Sequence, residues 1–218
     1  KTLKPETSAS WEFGFKQTVN DNITYSISYF KTSMENSIDY VYLWNKFENT
    51  ESLGFGDYRG DTYVNIGKKI NRGVEIAIHS KISDKLSVNG NLSLVSGKLE
   101  YNPASIDTSH THGNHVQLFA NGTFVNKDIE TIGLVRRPNT ATIGFTYKPV
   151  EKLSLGATIK YVGPRSDIYY NSGSGPFGAL ATKGVADYTL SDVIVRYSIL
   201  KNLAAALRVE NIFDVKYN

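Results

Sequence analysis

Three histidines lie close together in a polar segment, where imidazole side chains could bind a metal. His110, His112 and His115 fall within the segment 109–115, and imidazoles at this spacing could hold a transition metal or haem iron. The chain has no cysteine, so a thiolate site is excluded. The segment is equally typical of a polar, glycine-bearing surface loop. Two interpretations therefore stay open, a metal or haem site and a solvated loop.

Acidic residues alternate with glycine and tyrosine in a second polar segment. Asp57 and Asp61, with Arg59 between them, could indicate a calcium-binding loop. The spacing lacks a bidentate glutamate at the distance that such loops need. We therefore favour an ordinary polar loop here.

Aromatic residues in the polar segments could stack on a flat ligand. Tyr169 and Tyr170 are the first candidates, for which stacking on a ligand and placement at a membrane interface are both open. Further loop aromatics are Trp44, Phe47, Phe55 and Tyr58. Tyrosines at predicted strand ends favour an interface role, and these are Tyr40, Tyr42, Tyr101 and Tyr161.

Arg136 and Arg137 precede Pro138, which fits a strand boundary or loop rather than a helix. A net charge of +3 and the absence of a basic run argue against a nucleic-acid partner. The sequence contains no nucleophile elbow, phosphate-binding loop or zinc-protease helix. We therefore expect no enzymatic activity and no cofactor.

The elements that must position these residues are strands, because apolar and polar residues alternate with a period of two. Eight segments show the pattern, at about 11–16, 23–29, 74–79, 86–94, 142–147, 153–161, 192–199 and 203–210. Short turns at 20–22, 83–85, 150–152 and 200–202 alternate with long connections at about 43–63, 102–137 and 166–184. This alternation places all short turns at one end of an up-and-down sheet, as in outer-membrane barrels.

The two faces of the predicted strands differ in polarity. Charged residues share the face opposite the apolar one, and these are Glu12, Lys16, Glu75, His79, Lys81, Lys160, Arg196, Arg208 and Glu210. An apolar face toward lipid around a wet lumen fits this pattern, whereas packing on a second layer would need an amphipathic helix that the sequence does not offer. No apolar run approaches the length of a membrane helix.

Several motifs resemble those of TonB-dependent receptors, in the family's order. Leu3–Ser8 followed by Trp11–Lys16 resembles the family's "LKPE…S…E.G.K" strand. Ser37–Tyr40 resembles the end of the next strand, Asn71–Glu75 the "xxGVE" segment, Val135–Pro138 the "RRP" start of a later strand, and Asn211–Tyr217 the "NLFDxxY" box. The order and spacing are most similar to those of cobalamin and siderophore receptors.

The resemblance implies an all-β protein: an antiparallel, up-and-down transmembrane β-barrel fragment. Residues 1–218 would supply about eight strands of a 22-stranded barrel, with no second domain, and the plug, the TonB-contacting box and the closing strand would be absent from the sequence. The implied location is the bacterial outer membrane, and the implied function is active import of an iron–siderophore, cobalamin or haem.

The implied partners follow from that reading. They are outer-membrane lipid and lipopolysaccharide, a metal-chelate or cobalamin-like ligand, and TonB through the missing N-terminal plug. Arg136 and Arg137 would meet acidic groups of ligand or plug, or face solvent or lipopolysaccharide. Two alternatives stay open: a soluble or surface-attached binding module, and a small structural or pore barrel.

Overall fold

The structure is a computed structural model that describes residues 3–45, 55–101, 111–120, 123–126, 131–133, 138–173 and 178–217. Nearly all of these residues are in strands, with one short 3-10 turn at Phe55–Asp57. Within these ranges no helix is long and apolar enough to cross a membrane.

Eight strands form the body of an 11-stranded antiparallel sheet, and each of them pairs with the next of the eight along the chain. The bounds are β1 Thr7–Val19, β2 Ile23–Trp44, β3 Tyr58–Lys81, β4 Leu86–Tyr101, β8 Thr140–Val150, β9 Leu153–Val162, β12 Tyr188–Leu200 and β13 Leu203–Val209. The predicted all-β, up-and-down fold is confirmed.

Five shorter strands lie within the long connections. These are β5 His115–Ala120, β6 Thr123–Asn126, β7 Thr131–Gly133, β10 Arg165–Asn171 and β11 Ala179–Val185. β7 pairs with the end of β4, and β10 and β11 form a hairpin of their own. The long connections are therefore more ordered than alternation alone predicts.

The four short turns lie where the sequence predicts them, all at one end of the sheet. In the first, Asn20 and Asp21 have φ values of 51° and 53°, and the Asn22 amide donates to the Val19 carbonyl at 3.2 Å. Two consecutive left-handed residues are typical of a tight hairpin turn, and Asn and Asp tolerate this conformation better than other residues.

The strand register separates the two faces as the alternation predicts. Ile27 lies opposite Ile76, which lies opposite Leu92. We call this apolar face the apolar band, formed by Trp11, Phe13, Phe15, Tyr25, Ile27, Tyr29, Val74, Ile76, Ile78, Leu92, Leu94, Ile143, Phe145, Tyr147, Leu155, Ile159, Tyr161, Val193, Val195, Tyr197, Leu207 and Val209. Eight of the nine charged residues predicted to share a face lie on the opposite one, and the ninth, Glu210, follows the end of β13.

The sheet is open. Among the described residues β1 pairs only with β2, and β13 only with β12. The band is also largely uncovered within the chain, since Phe13 is 63% and Leu207 67% exposed. These strands form a barrel wall and not a small closed barrel.

Two strands extend much further than predicted. The connection expected at about 43–63 is limited to residues 45–57, because β2 continues to Trp44 and β3 begins at Tyr58. Ser37–Tyr40 consequently lies inside β2, and the expectation that it ends the strand is wrong. The physical reason is a pair of register shifts between Glu35 and Ile38, which interrupt the alternation.

A lysine introduced into the apolar band should destabilise the protein more than a lysine introduced on the opposite face of the sheet. Val195 and Leu207 are direct cross-strand partners within the band, so Val195→Lys or Leu207→Lys should lower the free energy of unfolding by roughly 2–4 kcal/mol if the band contacts lipid. The measurement is denaturant unfolding of the full-length protein in lipid vesicles. Thr146→Lys, on the opposite face, is the matched control and should have a smaller effect. Equal tolerance of all three would show that the band does not face lipid.

Candidate functional site

At the end opposite the short turns, strands from the long connections join the sheet. β1 pairs with β2 only as far as Glu35. Beyond that point β5 takes the free edge of β2, with Tyr42 opposite Gln117 and Trp44 opposite His115. β5 forms a hairpin with β6, and β11 contacts β5. We call β5, β6 and the ends of β2 and β3 (37–44 and 58–67) the loop-end layer.

The loop-end layer has its own hydrophobic core. Six aliphatic side chains in it are buried, namely Val41, Leu43, Val64, Ile66, Val116 and Leu118, with Leu99 of β4 packed against them. A fully buried aliphatic side chain contributes about 1.5–3 kcal/mol. Packing therefore fixes the positions of residues that the sequence assigned to long connections.

An aromatic cluster forms on the other face of the same strands. Tyr40 packs edge-on against Tyr42 and Tyr63, with ring centroids 5.2 and 5.1 Å apart, and Trp44 packs against Tyr58 at 5.5 Å. Tyr42 and Trp44 are buried, so these aromatic rings mainly contact one another. Phe47 lies outside the described residues.

The carboxylate of Asp61 lies beside this aromatic cluster and changes the acidity of two of its tyrosines. The Tyr58 hydroxyl donates a hydrogen bond to an Asp61 carboxylate oxygen. Burial, together with the hydrogen bond and charge of Asp61, raises the pKa of Tyr58 and of Tyr40 well above the usual tyrosine value. Both phenols consequently stay protonated and act as neutral donors at any physiological pH.

The suspected calcium-binding residues are engaged with the protein itself. The Asn45 backbone amide donates to the Asp57 carbonyl at 2.8 Å. Arg59 donates to the carbonyls of Gly56 at 2.8 Å and Tyr58 at 2.9 Å. Across the described ranges no group of three His, Cys, Asp or Glu side chains could hold a metal ion. Arg59 and Asp61 lie within β3, so the prediction of a polar loop at these two residues is wrong.

Two of the three histidines are described. His112 lies in a turn, with φ 51°, and the Asn114 amide closes that turn on the Thr111 carbonyl at 2.8 Å. His115 begins β5. His110 lies outside the described residues, so the histidine site stays a prediction.

The predicted ligand-binding tyrosines lie on the β10–β11 hairpin. Tyr169 is paired with Ala181 and Tyr170 with Leu180, so the two rings point to opposite faces. Ala181 is completely buried, whereas Tyr170 is 61% exposed and Tyr169 is 41% exposed. The Tyr170 face is therefore the more accessible one. Arg136 and Arg137 lie outside the described residues, and the strand that follows them begins at Thr140.

Comparison with known proteins decides the family. Residues 1–212 match the family model described as TonB dependent receptor-like, beta-barrel. The chain belongs to the TonB-dependent receptor family. That family comprises outer-membrane transport receptors, not enzymes, so the receptor wall lies in the bacterial outer membrane.

The relatives of the chain include siderophore receptors. The chain is 24% identical over 226 residues to the "Probable TonB-dependent siderophore receptor PiuA" of Acinetobacter baumannii, covering 99% of the chain and 24% of that protein. It is 24% identical over 221 residues to the "Catecholate siderophore receptor Fiu" of Escherichia coli K12, covering 99% and 23%. The chain thus spans about a quarter of the length of these relatives.

Solved structures support the fold. The crystal structure of Fiu in its closed form matches with a TM-score of 0.64 at 21% identity, covering 99% of this chain and 24% of that one. The "Copper transporter OprC" matches with a TM-score of 0.63 at 16% identity, covering 99% and 27%. At these identities the likeness establishes the fold alone.

The motif Leu3–Ser8 holds the register shift of β2 and β3 in place. The Ile38 backbone amide, within the shift, donates to the Glu6 carboxylate at 2.8 Å. The Asn65 side chain accepts from the Lys4 amide at 2.9 Å and donates to the Lys4 carbonyl at 3.0 Å. It also donates to the carbonyl of Asn36 at 2.7 Å, a residue with φ 56°. Sequence reasoning missed Asn36 and Asn65, whose only signal is an interrupted alternation.

Two further motifs receive physical explanations. In the "xxGVE" segment, Gly73 lies opposite Phe30, and a Cβ at Gly73 would come 2.6 Å from the Phe30 ring. In the "NLFDxxY" box, the Asn211 side chain donates to the Val215 carbonyl and accepts from the Val215 amide, both at 3.0 Å. Tyr217 stacks on Tyr188 with centroids 4.6 Å apart. Both motifs are therefore structural.

The Glu6 contact makes a testable prediction. Glu6→Ala in the full-length receptor leaves the Ile38 amide without its acceptor, so local opening should become easier by about 1 kcal/mol, or roughly fivefold. The measurement is amide hydrogen exchange of the segment 36–40. Glu6→Gln keeps a carbonyl oxygen and should show a smaller change. Unchanged exchange in Glu6→Ala would mean that the contact does not stabilise the register shift.

Proposed function

We propose that the receptor imports a ferric siderophore of the catecholate class across the outer membrane, with energy from TonB. The observation that carries the proposal is the match of 99% of the chain to two proteins named as siderophore receptors, one of them a catecholate receptor. The described residues would supply wall and outer surface, and the family's plug would gate passage and contact TonB.

The chemistry of the loop segments supports such a ligand. A tris-catecholate iron complex is a flat-sided anion, which arginine side chains and aromatic rings recognise through charge and stacking. Arg136 and Arg137 provide the cations, and Tyr170 provides an exposed ring at the loop end of the sheet. The histidines of the segment 109–115 would have some affinity for haem or free metal, which makes these the competing ligands.

Growth under iron limitation tests the proposal. A strain that lacks its other siderophore receptors should grow on a ferric catecholate when it expresses the full-length receptor, and this growth should require an intact TonB. Haem, which also carries iron, is supplied separately as the competing substrate. Rescue by haem and not by the catecholate would overturn the catecholate assignment.

The geometry of the hairpin predicts which tyrosine contacts the ligand. Tyr170→Ala should weaken binding of the ferric catecholate by about tenfold, since an aromatic contact is worth about 0.5–1.5 kcal/mol beyond its buried area. Tyr169→Ala should change it less, because its face of the hairpin also carries the buried Ala181. Tyr170→Phe keeps the ring and serves as the control. Binding is measured by intrinsic fluorescence titration of the purified full-length receptor, and equal losses for both alanine variants would contradict this assignment.

A further inference from the structure

The exposed ring of Tyr170 lies against a glycine of the partner strand. Tyr170 is paired with Leu180 in the β10–β11 hairpin, and Gly178 lies two residues before Leu180, directly ahead of the first residue of β11. Residues displaced by two positions across a strand pair share a face and lie within reach of an aromatic side chain. Gly178 is therefore the diagonal neighbour of Tyr170.

No side chain fits between Gly178 and the Tyr170 ring. A Cβ atom at Gly178 would come 2.5 Å from Cζ of Tyr170 and 3.0 Å from Cε2, and closer still to the hydroxyl oxygen. Real Cβ atoms essentially never come within 3.0 Å of another heavy atom. The edge of the ring that carries the hydroxyl thus occupies the space that the Cβ of any other residue would need.

The backbone around the ring is fixed on both strands of the hairpin. Gly178 has a φ of 82°, a conformation that glycine adopts without steric cost and that other residues rarely adopt. On the strand of Tyr170 itself, the Asn171 side chain accepts a hydrogen bond from the Gly173 amide at 3.0 Å. This bond closes the turn that follows the ring, so the ring and its glycine neighbour keep their relative positions.

A side chain at position 178 would move the ring rather than unfold the hairpin. Tyr170 is 61% exposed, so its ring can rotate into solvent by changing rotamer. The buried residues of β11, Ala181 and Val185, lie on the opposite face of the hairpin and would keep their contacts. The residue at position 178 therefore decides the orientation of the ring and has little influence on the hairpin fold.

We propose that Gly178 is a positioning residue for ligand recognition, because it holds the Tyr170 ring in one orientation on the exposed face of the hairpin. The inference rests on the proposed function, in which Tyr170 contacts an aromatic catecholate group. A ring that is ordered before the ligand arrives loses less conformational entropy on binding, and ordering one such side chain is worth about two- to tenfold in affinity.

A fluorine probe on the ring tests the orientation without any ligand. Fluorotyrosine is incorporated at position 170 of the full-length receptor in detergent, and its fluorine NMR shift is compared with that of the denatured receptor. The wild type should give a resonance displaced from the denatured value, and Gly178→Ala should return it towards that value. Gly178→Asn carries the same Cβ but tolerates a positive φ better, so it should have the same effect with less backbone strain.

A second glycine of the hairpin provides the matched control. Gly184 is paired with Ser166 on the same face as Tyr170, and nothing lies within 4 Å of a Cβ atom added there. Gly184→Ala should therefore leave the fluorine resonance unchanged.

Binding of an iron(III) tris-catecholate complex links the orientation of the ring to recognition. Gly178→Ala should weaken binding by about two- to tenfold in the wild type and should cause no further loss in the Tyr170→Ala background. The backbone strain at position 178 is the same in both backgrounds, so an effect of strain alone would be equal in both.

The two measurements fail in different ways. An unchanged fluorine resonance in both Gly178 variants, or an equal loss of binding with and without Tyr170, would overturn the inference. A receptor that does not bind the iron complex at all contradicts the proposed function instead. The fluorine resonance is measured without ligand, so it still decides whether Gly178 orients the ring.

Discussion

Hydrocarbon offers no hydrogen-bond partner to a peptide group, and the arrangement of the receptor's strands depends on this constraint. Within the apolar band the inner strands, from β2 to β12, pair on both sides over most of their length, and beyond the last β4–β8 pair the Val95 amide donates to the Asn139 side chain instead. This pairing fixes the register, and the register assigns each side chain to the apolar or to the polar face of the sheet. The amphipathic alternation, the tight asparagine turn at Asn20 and the glycine at position 73 are consequences of that one requirement, because each allows neighbouring strands to stay paired over their whole length.

Irregular backbone occurs where water or side chains can form hydrogen bonds with its amide and carbonyl groups. The register shifts of β2 lie between Glu35 and Ile38, beyond the band, with a further shift between Leu43 and Trp44. There a carboxylate and an amide replace the missing ladder partners, as Glu6 does for Ile38. The same region carries the only six-member aliphatic core of the described residues. The chain therefore changes at the shift from a wall with an exposed apolar face to a layer with its own buried core.

Local sequence predicts the wall well and the loop-end layer poorly, for a physical reason. Alternation is a property of neighbouring residues, so eight strands and four turns could be inferred without knowing their partners. The extension of β2 to Trp44 could not be inferred. The register shift at Asn36 breaks the alternation, because it places consecutive polar residues on both faces of the strand. The contact between Tyr170 and Gly178 could not be inferred either, because it depends on the register of the β10–β11 hairpin. Of the predicted site residues, the structure positions Tyr169, Tyr170, His112 and His115, and it leaves their ligand contacts as predictions.

The separation of wall and layer explains how one fold can serve different ligands. Substitutions in the loop-end layer act on a core that includes Val41 and Val116 and is distinct from the apolar band. The β10–β11 hairpin, which contacts the layer through β5, can change its exposed residues, such as Tyr170, without altering the strand pairing of the wall. In the wall, by contrast, the strand register is fixed, but many different apolar residues would suit a lipid-facing position. Its sequence can therefore change while the pairing is kept. Low identity across 99% of the chain, combined with a TM-score of 0.64 to Fiu, is the result that these two freedoms predict.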